Sequence, residues 1–159
     1  IAFPFASIRF LMAEVLYNKG KFFSKFLYWL GGIRVDRDAY NFDFVDKSVD
    51  CLSSGQVVGI FPEGRLPIQG KMSPFRPSTV VIALKANVPI IPVYTDGNYG
   101  ITKRAHITIG EPINLTDYLA EKDVPVDKIS REEISRLNDI LKDKILELKA
   151  FSEEKNGKK

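Results

Sequence analysis

Residues 57–61, VVGIF, make an almost continuously apolar run that stops at Pro62 and gives way at once to Glu63, Gly64 and Arg65. So short and unbroken a run is the pattern of a strand covered on both faces, as the strands of parallel sheets are. Other runs repeat the theme. SIRFLMA (7–13) and IRVDR (33–37) read as strands, PIIPVYT (89–95) as another buried one, and AHITIGEPI (105–113) as a more peripheral one by its alternation. Helical periodicities lie between them. KFFSKFLYWLGG puts Phe22, Phe23, Phe26, Leu27 and Leu30 on one side and stops at Gly31 and Gly32, and residues 41–54 space Phe42, Val45, Val49 and Leu52 as a helix face. STVVIALKANV (78–88) reads as a third helix. The C-terminal helix is announced by a capping box, Ser130 with Glu133, and by the stripe Ile134, Leu137, Leu141, Ile145 and Leu148. Such alternation predicts an α/β fold, a single-domain mixed sheet flanked by helices over residues 1–150, with 151–159 as a disordered tail.

The 159 residues suffice for one core, since a chain of this size buries roughly 70% of its unfolded surface. The net charge of +3 falls short of the dense basic stripe that makes nucleic acid a partner, and it suits an anionic substrate or a lipid surface. The one cysteine, Cys51, excludes an internal disulfide framework and a thiolate zinc cluster, and it reads as a buried thiol in a reducing compartment. No metal or redox cofactor is implied. Pro4, Arg9 and Glu14 interrupt the greasy N-terminal run, so it does not reach the roughly 18 apolar residues that span a bilayer. The chain opens at Ile1 without a methionine or a leader pattern, and reads as a piece of a longer protein.

In open α/β sheets, ligands bind beyond the carboxyl ends of the strands. Glu63, Gly64 and Arg65 stand at such an end. Gly64 permits a tight turn and close backbone approach, and Arg65 offers a planar fork suited to phosphate or carboxylate. A polar loop closed by a Glu63 to Arg65 contact accounts for the same residues.

Three motifs occur in order with helices between them: GIRVDR (32–37), FPEGR (61–65) and VPIIPV (88–93). Together they resemble the glycerolipid acyltransferase family, of the 1-acylglycerol-3-phosphate (lysophosphatidate) type, over residues 7 to 115. In that family a Gly-to-Arg strand segment is matched here by residues 32–37, ending in Arg37. A Phe-Pro-Glu-Gly-Thr-Arg block is matched at Phe61, Pro62, Glu63 and Gly64, and an apolar strand with two prolines at residues 88–93. The Thr is missing, so Arg65 comes one residue early, and the family's Phe-basic-x-Gly is FRPS here, with Ser78 at the Gly position.

The resemblance implies an enzyme of phospholipid biosynthesis. It would move a fatty acyl group from acyl-CoA or an acyl-carrier-protein thioester, used as co-substrate and not as cofactor, to the free hydroxyl of lysophosphatidate or a similar lysolipid. The substrate-binding set it implies is Arg37, Phe61, Pro62, Glu63, Gly64 and Arg65, with Arg37 and Arg65 holding the acceptor's phosphate and Glu63 ordering the guanidiniums or a hydroxyl. For Arg37 the alternative is an ion pair with Asp36 or Asp38. Lys71 and Arg76 either steer an anion or belong to a solvated basic loop. The family's general base is the His of a His-x-x-x-x-Asp motif, expected upstream of Ile1, so this piece alone should be almost inactive. His106 does not replace it. Glu111 stands at the imitating distance, but His106 follows the proline block, and an odd spacing along a strand turns the two side chains to opposite faces. A lipid acceptor also implies association with a membrane surface, at its cytoplasmic face. The helix near 21–30, with Trp29 among its aromatics and Lys19, Lys21 and Lys25 nearby, would either lie in the bilayer interface or pack its aromatics on the sheet. A noncatalytic lipid- or phosphate-binding domain of the same fold is the alternative function. A soluble hydrolase finds no nucleophile with a histidine partner here.

Overall fold

The computed structural model describes residues 8–36, 43–64, 72–97, 105–121 and 128–156. The chain divides into two compact units, Ile1–Ala86 and Asn87–Lys159.

The first unit is built on a three-stranded parallel sheet in the order β2-β1-β3, from β1 (Ile8–Ala13), β2 (Ile33–Val35) and β3 (Val57–Gly59). Leu11 of β1 pairs with Ile33 of β2, and Phe10 with Gly59 of β3, all strands running the same way. The central strand is therefore β1. VVGIF was expected to be covered on both faces, but β3 ends at Gly59 and is only half-buried, because among the described residues its one pairing partner is β1.

Two helices follow β1: α1 (Glu14–Tyr17) and α2 (Lys21–Trp29). Gly31 closes α2 with φ +80°, a conformation that costs glycine little, while its amide donates to the Tyr28 carbonyl and that of Gly32 to Leu27, both at 2.9 Å. The helix α3 (Asp43–Ser53) buries Val45 and Ser48 and packs on β2, β3 and α4 (Ser78–Ala86). In α4, Val80, Ile82, Ala83 and Leu84 are buried in near succession, so the helix is covered on more than one side, and each large apolar side chain contributes about 1.5–3 kcal/mol by leaving water. Asn87, with φ +50°, follows its end.

The second unit is an antiparallel pair, β4 (Val93–Thr95) with β5 (Ile107–Ile109), packed on α6 (Arg131–Lys155), with α5 (Leu115–Ala120) between. The strand expected over 89–95 is shortened. Proline at 89 and 92 leaves Ile90 as an isolated bridge to Ile113, and Val93 is about half-exposed. The capping-box serine acts as expected, its hydroxyl accepting the Glu133 amide at 3.1 Å, and the Glu133 carboxylate accepts from Arg136 Nε at 2.7 Å. The tail expected from residue 151 is instead helical as far as Lys155. Ser152 is buried there, and the Thr108 hydroxyl donates to its Oγ at 2.8 Å, which ties the last turns to β5.

Parallel and antiparallel pairing both occur, as expected of the α/β class, in two separate sheets. Among the described residues, no helix is long and apolar enough to cross a membrane.

Candidate functional site

Because β1, β2 and β3 run parallel, their carboxyl ends share one edge of the first unit, and Glu14, Asp36 and residues 60–64 leave the sheet there. The turn at 61–64 is closed by the Gly64 amide donating to the Phe61 carbonyl at 3.0 Å. Gly64 has φ +63°, a region that L side chains enter at a cost of roughly 1–2 kcal/mol. A Cβ there would also come to 3.3 Å of Arg76 Cγ, so the stem of Arg76 lies directly over the turn.

Two further bonds tie this turn to the segment entering α4. The Arg76 amide donates to the Pro62 carbonyl at 2.8 Å. The Ser73 amide donates to Glu63 Oε2 at 2.6 Å, a charge-assisted bond on a half-buried carboxylate, of a kind that contributes about 1.5–3 kcal/mol. Glu63 is thus held by backbone ten residues on. A carboxylate fixed on an amide orders a loop without presenting its charge directly to an anion.

Phe61 is exposed and stacks on Phe10 of β1, with centroids 6.2 Å apart and planes at 22°. The turn therefore has an apolar flank and a cationic one, the second supplied by the exposed Arg76. Arg76, expected either to steer an anion or to sit in a solvated loop, is placed against Gly64. Of the predicted site residues, Phe61, Pro62, Glu63 and Gly64 are together. Arg37 and Arg65, like Lys71, lie outside the described residues.

Two residues at this edge were missed. Glu14, one step past β1, forms an ion pair with Arg34 of β2. The parallel register of β1 and β2 brings them together, and no local spacing announces it. Beside β2 runs a cleft of about 700 Å3 whose walls include Arg9, Arg34, Lys47 and Cys51. Cys51 is half-buried at its wall, not buried as expected, because its helix turns that face toward the cleft. Residues 61–64 do not line it.

His106 meets a carboxylate other than the one its spacing suggests. Its Nδ1 lies 2.9 Å from Oδ2 of the almost fully buried Asp96, and its amide donates to Asp96 Oδ1 at 3.2 Å. The Asp96 amide donates back to the His106 carbonyl at 3.2 Å, so the pair fastens the ends of β4 and β5.

In open α/β sheets the carboxyl ends of the strands are where ligands bind, and the glycine turn, the carboxylate and the arginine of the first unit stand at such an edge. The acyltransferase family model matches residues 3–96, across the first unit and through β4, and the chain belongs to that family. A solved structure, that of the 1-acyl-sn-glycerophosphate (LPA) acyltransferase PlsC from Thermotoga maritima, is similar in fold, with a TM-score of 0.57 and 22% identity. The likeness covers 91% of this chain and 58% of that one, so the chain spans little more than half the length of PlsC. No curated protein sequence matches this chain.

Proposed function

We propose that this protein transfers a fatty acyl group from an acyl-CoA or acyl-carrier-protein thioester to the free hydroxyl of lysophosphatidate or a similar lysolipid. The observation that carries the reading is the turn at 61–64, a family motif at the carboxyl edge of a parallel sheet, locked by Glu63 to the Ser73 amide and overlaid by Arg76. In the reaction the acceptor hydroxyl attacks the thioester carbonyl carbon as a base removes its proton. The tetrahedral intermediate then collapses, the carbon–sulfur bond breaks, and the thiolate leaves with a proton, giving an ester and a free thiol.

Arg37 and Arg65 are the residues proposed, by resemblance, to bind the acceptor phosphate. Arg76 adds a third cation, and Glu63 keeps the turn in shape for them. Phe61 with Phe10 supplies apolar surface beside the phosphate. The base, by resemblance, is the imidazole of the family's His-x-x-x-x-Asp pair, which lies N-terminal to the Gly-to-Arg segment in that family. The lipid acceptor places the protein at a membrane surface, at its cytoplasmic face.

The test is transfer to lysophosphatidate by the full-length protein, with Arg37→Ala and Glu63→Ala beside it. Transfer that needs the acceptor's phosphate and falls in both variants supports the reading. Binding of anionic lipid with no transfer to any lysolipid would make this a noncatalytic lipid-binding domain.

A further inference from the structure

The helix α2 carries its apolar side on the wrong face for a core. Leu27 is its buried residue, while Phe22, Phe26 and Trp29, spaced by four and then three so as to share a stripe, point the other way. Phe22 is 89% exposed and Trp29 80%, and with Phe26 at 44% they form one contiguous apolar patch and not scattered single residues. The stripe is continuous, since Phe26 stacks on Trp29 at 6.3 Å and lies 6.4 Å from Phe23. The other side of the helix is covered within the chain: Leu27 is buried, Tyr17 packs on Tyr28 at 4.9 Å and α1 lies against α2. The expectation that these aromatics pack on the sheet fails for Phe22 and Trp29, which leaves an apolar stripe in need of a partner.

The charges beside the stripe select that partner. Lys19, Lys21 and Lys25 are all exposed, and Lys25 and Lys21 flank the stripe on one side, about 60° and 100° round the helix from Phe22. From residue 15 to residue 35 there is no Asp or Glu at all. A second copy of the chain on a two-fold axis would bring like lysines together across the seam and be repelled. A surface that is apolar within and negative outside satisfies both features. Phe and Trp enter the boundary between head groups and acyl chains, and lysines reach anionic phosphates.

We infer that the outward face of α2, with Phe22, Phe26 and Trp29 as wedge and Lys21 and Lys25 as electrostatic flank, docks this protein on the surface of a bilayer containing anionic phospholipid. The inference extends the lipid-acceptor reading above, and it assigns to α2 a task separate from the chemistry. Inserted aromatics hold the position, and the lysines, acting within a Debye length of about 8 Å at physiological salt, attract the protein to the surface and set its preference for negative lipid.

Trp29 is the only tryptophan among the 159 residues, so its fluorescence reports on this face alone. The chain is titrated with vesicles of phosphatidylcholine and with vesicles of phosphatidylcholine mixed with phosphatidylglycerol, without any acyl donor. Expected is a blue shift and protection from a soluble quencher with the mixed vesicles. Lys21→Glu with Lys25→Glu should weaken binding by at least about tenfold, and Phe22→Ser should abolish the protection at Trp29. All three positions are exposed, so far-UV circular dichroism and melting should match the parent. The inference is overturned by no shift with mixed vesicles, by equal binding to neutral vesicles that ignores the lysine changes, or by a Trp29 already shielded before vesicles are added. That last result would mean that another part of the chain or a second copy covers the face. In the full-length protein, vesicle binding without acyl transfer would count against the acyltransferase reading alone, and transfer to a dispersed short-chain lysolipid without vesicle binding against this one alone.

Discussion

The glycine turn of the first unit and the charged pairs of the second hold similar polar chemistry and dispose of it differently. In the first, the turn at 61–64 has its carboxylate tied to a backbone amide, with an arginine laid over the outside of its glycine. In the second, ionisable groups are matched to one another: His106 to the buried Asp96, Arg136 to Glu133, and Lys144 to Glu147 at 2.9 Å. A histidine oriented by an aspartate resembles a general base, yet here the same two residues also exchange backbone hydrogen bonds that close a hairpin. The partner's own partners are what distinguish a working group from a fastening.

The largest effect is expected from weakening the second unit without touching the first. Leu137 is fully buried in α6, and Leu137→Ala should cost about 2–5 kcal/mol in denaturant unfolding, with acyl transfer per folded molecule unchanged. A loss of transfer in the folded fraction would mean that the second unit shapes the site.

Gly64→Ala works inside the first unit. It forces a left-handed φ on alanine and presses a methyl toward Arg76, so the turn should lose about 1–2 kcal/mol and transfer should fall on the order of tenfold. Steady-state rates at a range of acceptor concentrations check it. Unaltered kinetics would detach the turn from the function.

Tyr17 tests the core beneath the same edge. Its hydroxyl is buried without a hydrogen-bond partner among the described residues, so Tyr17→Phe should stabilise by about 1 kcal/mol or be neutral. Burial pushes the Tyr17 phenol above its ordinary value, with Tyr28 adding to the shift. Burial does the same for Tyr94 in the second unit, with Glu153 and Asp96 contributing. A folded value above the unfolded one means that stability is whole below about pH 10 and drains away as pH rises further, since the unfolded chain then loses the proton more readily. Unfolding midpoints between neutral and strongly alkaline pH should show that decline, reduced in Tyr17→Phe. The smallest effect belongs to His106→Ala, whose exposed ring limits the loss to under about 1 kcal/mol in the same unfolding assay.

Much of this was legible in the sequence. The strands and helices of the first unit lie close to where the apolar runs and helical spacings put them, because Gly31, Pro62 and Gly64 punctuate them chemically. What holds Glu63 was not legible. Ser73 lies ten residues away across a stretch with no periodicity, and its contribution is a backbone amide, which residue identity does not advertise. The direction of α2 escaped for another reason. Spacing defines an apolar face but says nothing of which face meets solvent, and only the burial of Leu27 settles it. The length of α6 was misjudged because Ser152, a polar residue, is buried by a cross-element hydrogen bond that composition reads as the beginning of a tail.

The most direct test of the account compares Glu63→Ala with His106→Ala in the full-length protein, by kcat/KM for transfer to lysophosphatidate. Glu63→Ala should lose on the order of a hundredfold, because the turn drifts from its productive shape, while His106→Ala should stay within about twofold of the parent. Equal losses in the two variants, or a Glu63→Ala protein that transfers as the parent does, would contradict it.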